Sequence, residues 1–306
     1  MNSYKPEGAL FNTELNQKYI SSFDALAEAK EKNITLEARV SVCDNSHNLI
    51  VDLPCGKGII PRCEGAIGIE DGSTRDIAII SRVNKIVCFK VTDIKIIDGA
   101  SCAFLSRKLA QEECTAYYIN QLSSGDIIDS KVTHLEQFGC FVDICCGVSS
   151  LIPIDLISVS RISHPSERFR VGENIRAIVK SVENGRVFLS HKELLGTWTE
   201  NASQFNTGET VSGIVRSVEE YGIFVELTPN LAGLAEPKPG ISPGQQVSVF
   251  IKALIPEKMK VKLVIVDVCE ENPKFQSAKY YITEPHIDKW RYTPENCQRI
   301  IETDFT

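Results

Sequence analysis

The sequence predicts a mainly β fold in which small closed barrels follow one another along the chain and are joined by short helices. Three observations support this prediction. Short β-rich runs recur in groups of five. A glycine-centred sequence phrase occurs twice, and the segments between the groups are rich in helix-forming residues. A repeated sequence pattern of this kind marks a repeated structural unit.

The repeated phrase is THLEQFGCFVDI at residues 133–144 and RSVEEYGIFVEL at residues 216–227. Aligned on Gly139 and Gly222, each copy has an aromatic residue before the glycine and then a variable residue, Phe-Val, an acid and an aliphatic residue. Each phrase opens a longer similarity that contains five β-rich runs separated by turn residues. Five short alternating strands are typical of a five-stranded barrel of the OB type.

A third, degenerate copy lies upstream, where Val51-Asp52-Leu53 aligns with the end of each phrase. It ends on Leu-Ser-Arg-Lys, much as the second copy ends on Leu-Ser-His-Lys. The predicted segments are a helical extension at 1–34, a degenerate barrel at 35–108, a linker helix at 109–123, a barrel at 124–192, a linker helix at 193–206, a barrel at 207–268, and a tail with a short helix at 269–306.

Capping residues support the helical segments. Ser106 and Ser190 each precede good helix formers, and Glu193 gives Ser190 the spacing of a capping box. The run Thr293-Pro294-Glu295 predicts the start of a short helix in the tail. Trp290, just before it, predicts that the tail packs against a barrel.

Composition excludes several classes of protein. The chain has 306 residues, of which 43% are hydrophobic, and no apolar run approaches the ~20 residues of a membrane span. The first residues lack a basic segment followed by an apolar one, so we expect a cytoplasmic protein with no signal peptide and no membrane partner. The net charge is -7, so contacts to nucleic acid would come from a local patch.

The eleven cysteines include no Cys-x-x-Cys pair. Cys145 and Cys146 are adjacent, a spacing that suits neither a zinc knuckle nor an ordinary disulfide. Several others lie in apolar strand-like runs, which favours buried, reduced thiols that behave as small hydrophobic residues. We therefore expect a reducing compartment, no metal, no cofactor and no redox role for the adjacent pair.

The aromatic residues of the phrase form the predicted functional site. Phe138 and Phe141 flank one glycine, and Tyr221 and Phe224 flank the other. A bulge or sharp twist at the glycine would bring both rings to the outer face of the barrel. Two exposed rings form a stacking platform for unpaired bases, each stack being worth ~1–3 kcal/mol. The alternative interpretation is that one or both rings belong to the core.

A stacking platform also needs cations for the phosphates. Arg186 and Lys260 occupy aligned positions on the last strand of each copy. The other candidate cations lie on the first strands and on later strands of the third barrel: Lys131, His134, Arg216, Lys252 and Lys262. Strand alternation leaves some of these as solvated surface only.

The run GDIIDSKVTHLEQFGCFVDI, continued by LIP and FRVGENIRAIVKSVENGRVFLSHK, resembles the S1 RNA-binding domain family. The resemblance is strong at 124–192, good at 207–268 and weaker at 36–108, so the chain resembles a short bacterial protein with three such modules. It implies OB barrels with single-stranded RNA lying across the aromatic face. It also implies a non-catalytic role in translation, with mRNA held by the second and third barrels.

Carried over by position, the family's aromatic pair falls on the two pairs named above, and its basic residue falls on Arg186 and Lys260. Pro153 and Glu236 stand where many members have histidine, which alters part of each site. The first copy lacks the whole site, because His47, Ile50 and Cys102 replace the aromatic and basic residues. In ribosomal members the N-terminal modules attach to the ribosome, so the resemblance implies that residues 35–108 dock on the small subunit; a structural spacer is the alternative.

Two other binding functions stay open: a regulator that binds transcripts away from the ribosome, and a protein-interaction scaffold with a vestigial RNA face. An enzyme is not supported, because no catalytic order of residues, phosphate loop or metal-ligand cluster is present. The histidines are scattered, and His134 and His191 are interpreted as surface residues of a barrel. The sequence leaves RNA preference and oligomeric state undecided.

Overall fold

The structure is a computed structural model that describes residues 4–97, 99–183, 185–269 and 278–306. Contacts divide the chain into two compact units. The first unit is Met1–Leu122 with Asp129–Lys131 and Asp143–Ser149, and the second is Ser123–Ile128, Val132–Val142 and Ser150–Thr306. Each unit is built mainly from β-strands, as the sequence predicts.

The strands close into three five-stranded barrels, which confirms the predicted fold class. The first barrel consists of β1 (Leu36–Cys43), β2 (Leu49–Leu53), β3 (Gly56–Ile60), β4 (Ile86–Ile97) and β5 (Ala100–Ser106). The second consists of β6 (Ile127–Glu136), β7 (Gly139–Cys145), β8 (Val148–Pro153), β9 (Asn174–Glu183) and β10 (Arg186–Ser190). The third consists of β11 (Thr210–Glu219), β12 (Gly222–Thr228), β13 (Leu231–Ala235), β14 (Gln246–Ile255) and β15 (Lys260–Val268).

All three barrels share one strand order. Written from the first strand of each closed barrel, the orders are β1-β2-β3-β5-β4, β6-β7-β8-β10-β9 and β11-β12-β13-β15-β14. The third and fifth strands of each barrel pair in parallel. Alternating side chains point inward, as in β2, where Leu49, Val51 and Leu53 are buried and Asp52 between them is exposed. This alternation gives each barrel an apolar core and leaves a separate set of side chains on its outer face.

Short helices connect and flank the barrels. They are α1 (Glu14–Ile20), α2 (Phe23–Glu31), α3 (Ile77–Ile80), α4 (Arg107–Tyr117) and α5 (Trp198–Ala202). Single 3-10 turns cover Arg62–Glu64, Ile119–Gln121, Ile154–Leu156, Pro165–Glu167, Lys192–Leu195 and Pro256–Lys258. Among the described residues no helix is both long and apolar enough to cross a membrane.

One predicted cap is confirmed and one is wrong. The Ser106 hydroxyl accepts a hydrogen bond from the Leu109 N–H and begins α4. Ser190 caps no helix, because its hydroxyl donates to the Glu193 carboxylate instead. The capping box of this connector lies further on, where the Thr197 hydroxyl accepts from the Glu200 N–H and the Glu200 carboxylate accepts from the Thr197 N–H.

The predicted helix in the tail is wrong. Residues 270–277 of the predicted tail lie outside the described residues; the part at 278–306 contains β16 (Lys289–Arg291) paired antiparallel with β17 (Glu302–Asp304). The Thr293 hydroxyl accepts from the Ile301 N–H at 2.7 Å, which closes the loop between these strands instead of starting a helix. Trp290 is buried against the core of the third barrel, which confirms that this part of the tail packs on a barrel.

Two further expectations are corrected. His191 is 1% exposed and lies under the barrel surface, where its Nδ1 is 3.0 Å from the Ile157 carbonyl oxygen. Burial lowers the pKa of His191 to about 4. Cys114 and Cys145 form a disulfide, because α4 and the end of β7 bring their Cα atoms to 6.7 Å. The nine other cysteines are free thiols.

Candidate nucleic-acid interface

Both repeated phrases build the same pair of rings. Phe138 lies in the turn between β6 and β7, and Phe141 follows on β7; their ring centroids are 5.9 Å apart at an interplanar angle of 89°. Tyr221 and Phe224 repeat this arrangement in the third barrel, at 6.2 Å and 86°. Edge-to-face contact is a favourable geometry for two aromatic rings. The two barrels therefore present nearly identical aromatic pairs.

One ring of each pair is exposed to solvent and the other is half-buried. The exposed fractions of Phe138 and Tyr221 are 57% and 68%, whereas Phe141 and Phe224 are half-buried. Val142, the neighbour of Phe141 on β7, is fully buried and supplies the inward side chain at this point. The alternative of core aromatics is therefore wrong for the two turn residues.

The rings meet because the first of each pair belongs to a turn. In the third barrel β11 and β12 stay in register through Gly222, and the irregularity lies on β11 between Val215 and Ser217. Of the two expected geometries, the bulge is therefore absent at the glycine of this copy. A turn residue does not follow strand alternation, so the Tyr221 ring can reach the face that carries Phe224.

The glycines are required for a different reason. A Cβ atom on Gly139 would lie 2.5 Å from the Ile152 carbonyl oxygen, and one on Gly222 would lie 2.7 Å from the Ala235 carbonyl oxygen. Both distances are too short for any side chain. Each glycine therefore lets the backbone of the neighbouring strand approach closely beside the ring pair.

In the third barrel a row of side chains crosses the face. Phe224 on β12 is opposite Leu234 on β13, and Leu234 is opposite Lys262 on β15. Neighbouring strands are ~4.8 Å apart, so the Phe224 and Lys262 Cα atoms are separated by about 10 Å. Lys262 is therefore the cation in the row of the ring, and Lys260 lies two residues along the same strand.

In the second barrel the corresponding strand adds another ring. Phe188 on β10 is opposite Leu151 on β8, and it is 37% exposed. Arg186 lies on the same outer face of β10, since Val187 between them is buried. Phe188 was missed in the sequence, although the alternation in RVFLS places it on the face of Arg186.

Five of the predicted cations have exposed side chains: His134, Arg186, Lys252, Lys260 and Lys262. Lys252 pairs with Glu236 at 3.6 Å, and both groups are open to solvent. Within the part of the chain that the structure describes, Arg186, Lys260 and Lys262 have no hydrogen bond or ion pair through their side chains. Their charges are available to a partner.

Lys131 and His134 have internal contacts. The Lys131 ammonium donates to the Glu7 carbonyl oxygen at 2.9 Å. The His134 ring is 2.6 Å from a Glu136 oxygen and 6.4 Å from the Phe141 ring centroid. Unlike Lys131, which is half-buried, His134 lies beside the ring pair in an exposed position.

Arg216 belongs to a buried ion-pair network. Its guanidinium donates two hydrogen bonds to Glu226, at 2.7 and 2.9 Å, and a third to Glu167. Arg168 donates to the same Glu226 carboxylate. These carboxylates hold Arg216 between two segments of the second unit, so its charge is already neutralised.

The first barrel lacks the ring pair, since His47 and Ile50 occupy the aligned positions, and Cys102 occupies the position of Arg186 and Lys260. The corresponding row across its face is Ile50, Ile59 and Phe104, all half-buried. Lys95 lies over the Phe104 ring at 5.1 Å from its centroid. His47 pairs with Asp76 at 3.2 Å instead of facing a partner ring. This face therefore carries an apolar row, with Phe104 at the position of Phe188, where the other two barrels carry their ring pairs.

Comparison with known proteins assigns the family. The model of the S1 RNA binding domain family matches residues 121–192. Small ribosomal subunit protein bS1 of Staphylococcus aureus (strain COL) is 30% identical over 292 residues, which cover 87% of this chain and 71% of that protein. The bS1 protein of Staphylococcus epidermidis (strain ATCC 35984) is 30% identical over 179 residues, covering 53% and 45%.

Among solved structures, a multidomain Streptococcus pneumoniae protein with nucleic acid binding domains aligns over 76% of this chain and 73% of its own, at 11% identity and a TM-score of 0.25. A likeness this distant adds nothing to the fold, which rests on the strand order of the barrels. The bS1 match, in contrast, extends over most of both chains. On that match, and on the barrel matched at 121–192, the chain belongs to the S1 RNA-binding domain family and is a relative of small ribosomal subunit protein bS1.

Proposed function

We propose that the chain is a non-catalytic, cytoplasmic protein that binds single-stranded RNA in translation and holds mRNA on the aromatic faces of its second and third barrels. One observation carries the proposal: two barrels present the same exposed ring pair in the same edge-to-face geometry. Family membership supports it, because the named relatives are proteins of the small ribosomal subunit.

Affinity would come from stacking together with a few phosphate contacts. Each exposed ring offers a face to an unpaired base, and base–aromatic stacking contributes ~1–3 kcal/mol per base. The unpaired charges of Arg186, Lys260 and Lys262 lie on β10 and β15, one strand beyond the neighbour of the ring-bearing strand, and would meet the phosphates. Because stacking tolerates every base, sequence preference would be modest, and binding would weaken with salt by about 0.7 log units per phosphate contact for each tenfold rise in salt.

The two platforms would act on one RNA strand. Both ring pairs belong to the second unit, in which Arg168 and Glu167 of the second barrel's long loop contact Glu226 and Arg216 of the third barrel. A buried ion-pair network limits the freedom of one barrel relative to the other. Binding at the first platform would then raise the effective concentration of RNA at the second, so that two platforms bind more tightly than one.

Fluorescence anisotropy with an unstructured RNA of ~20 nucleotides tests the proposal. The variants are Phe138→Ala/Phe141→Ala, Tyr221→Ala/Phe224→Ala and all four together, with far-UV circular dichroism to verify folding. We expect each pair to weaken binding and the quadruple variant to bind almost no RNA. A folded quadruple variant that binds like the wild type would contradict the stacking platform and favour the scaffold function.

We also propose that residues 35–108 dock on the small ribosomal subunit. The apolar row Ile50, Ile59 and Phe104 supports a protein contact at the place where the other barrels carry their RNA platforms. Co-sedimentation of the full chain with small subunits, comparing wild type with Ile59→Glu, tests this role. Loss of co-sedimentation with intact RNA binding is expected. An RNA-binding protein that never sediments with the subunit would instead be a regulator that acts away from the ribosome.

A further inference from the structure

Four cysteines meet in one buried pocket of the first unit. Cys88 lies on β4, Cys114 on α4, Cys145 at the end of β7 and Cys146 directly after it, and all four are at most 2% exposed. The sulfur atoms of Cys114, Cys145 and Cys146 lie within 4.8 Å of one another. The Cys88 thiol donates to the Glu7 carboxylate at 3.7 Å and interacts electrostatically with Cys146, so it is the fourth sulfur of the group.

The backbone is bent so that both adjacent cysteines enter this pocket. Neighbouring residues of a strand point to opposite faces, but Cys146 has a φ of 45°, in the left-handed region that residues other than Gly, Asn and Asp rarely occupy. An Asp143 carboxylate oxygen accepts from the N–H groups of Cys145 and Gly147, both at 2.9 Å. A strained residue that its surroundings hold in place is typical of a functional site.

Contacts from other segments hold the bend as well. The Cys146 N–H donates to the Lys5 carbonyl oxygen at 3.0 Å, and Gln111 donates to the Cys146 carbonyl oxygen at 3.2 Å. The disulfide between Cys114 and Cys145 uses two of the four sulfurs. The disulfide does not explain why a third cysteine, Cys146, adopts a strained backbone conformation beside it, or why a fourth thiol, Cys88, lies at the same place.

The group has the composition of a tetrathiolate metal site. Zinc prefers four thiolates in tetrahedral geometry, and Zn–S bonds of ~2.3 Å place the sulfurs about 3.8 Å apart. The Cys146 sulfur lies within 4.8 Å of both sulfurs of the disulfide, so reduction would leave three thiols beside one another. Arg107, which is buried and paired with Glu7, lies beside Cys88 and interacts with it. Such surrounding groups orient ligands and balance their charge.

We propose that Cys88, Cys114, Cys145 and Cys146 bind one structural zinc ion once the Cys114–Cys145 disulfide is reduced. A dithiol reductant supplies two electrons and two protons, giving two thiols and its own disulfide. The four thiols then lose four protons as they bind Zn²⁺, and the resulting centre carries a charge of about -2. The site is separate from the aromatic face and does not depend on RNA binding.

This site could not be predicted from the sequence, because its ligands come from three distant segments. Zinc sites read from sequence use short ligand pairs such as Cys-x-x-Cys, which this chain lacks. Here the pair is adjacent, and only the left-handed residue at Cys146 directs both thiols inward.

Metal content of the full chain tests the proposal. The protein is reduced with dithiothreitol, loaded with Zn²⁺, desalted without oxygen and analysed by mass spectrometry for metals and for alkylated thiols. We expect about one zinc per chain in the wild type, strong loss in Cys88→Ser and Cys146→Ser, and full retention in the matched control Cys297→Ser, whose thiol lies outside the pocket.

Loading the reduced wild type with Co²⁺ gives a readout that does not depend on variants that fail to fold. A tetrahedral tetrathiolate site gives intense visible bands and a sulfur-to-cobalt charge-transfer band. Three results would overturn the proposal: reduced wild type without zinc, a Cys114–Cys145 disulfide that persists in dithiothreitol, or a full zinc equivalent in both Cys88→Ser and Cys146→Ser. An iron–sulfur absorption in the isolated protein would likewise replace zinc as the occupant.

Discussion

Phe224 and Lys262 lie opposite the same residue, Leu234, on the two strands that flank β13. A ring and an ammonium group therefore share one row across the outer face of the third barrel. A base stacked on the ring has its own phosphate within reach of a long, flexible side chain in that row. The cation that shares the row with the ring is therefore Lys262, and not Lys260, which is aligned with Arg186 in the sequence.

Lys262→Ala is expected to weaken RNA binding and to make the slope of log affinity against log salt less negative by about 0.7, because one phosphate contact is lost. A salt titration by anisotropy measures both effects. Lys289→Ala removes the same charge from the tail, where the lysine pairs with Glu302, and is the matched control. Equal slopes for the two variants would contradict a phosphate contact at Lys262.

Phe188→Ala is expected to weaken RNA binding by about 1–3 kcal/mol, the contribution of one stacked base. Phe250 is the matched control, because it is also 37% exposed but lies on β14, outside the three strands that carry the platform. Anisotropy titrations compare the RNA affinities of the two variants, and thermal melts verify that both are folded. If Phe250→Ala weakens binding as much, the loss reflects general damage to a barrel.

His191 is expected to make the fold sensitive to acid. Its Nδ1 donates to the Ile157 carbonyl oxygen and its Nε2 accepts from the Tyr280 hydroxyl, so the buried ring is neutral. The unfolded chain takes up a proton near pH 6.5 and the folded chain only near pH 4, where burial has lowered the pKa. As the pH falls through this window, folding loses stability, by roughly 3 kcal/mol in total.

Urea unfolding of wild type and His191→Asn from pH 7 to pH 4 measures this loss. Asparagine keeps a donor for Ile157 and has no proton to gain. The wild type is expected to lose more stability than the variant across the window. Parallel curves for the two proteins would show that His191 does not carry the acid sensitivity.

Glu7→Gln is expected to destabilise the first unit by roughly 3–5 kcal/mol, because it leaves the Arg107 guanidinium buried without a matching charge. The pair is bonded at 2.7 and 3.2 Å, and both side chains are buried. Glu70→Gln breaks the ion pair with Lys108, in which Glu70 is largely exposed, and should cost less than about 1 kcal/mol. Urea unfolding under one redox condition compares the two, and similar midpoints would contradict the prediction.

Local sequence patterns were sufficient to predict the three barrels, their order and the two ring pairs. Alternation along a strand reports which side chains face the core, so Val142 and Val225 could be assigned inward and the neighbouring phenylalanines outward. The cap at Ser106 could likewise be predicted, because its hydrogen bond joins residues only three positions apart in the chain. Signals of this kind are local and survive in a single sequence.

Which polar groups are free could be established only from the folded chain. Arg216 lies 49 residues from Glu167, and Cys114 lies 31 residues from Cys145; no local pattern records either partnership. The same holds for His191, which the fold buries, and for the tail, which forms strands because Trp290 and Tyr292 pack on the third barrel. Partners that are distant along the chain meet only when the barrels close, and they then decide whether a charge, a thiol or an imidazole faces water or the core.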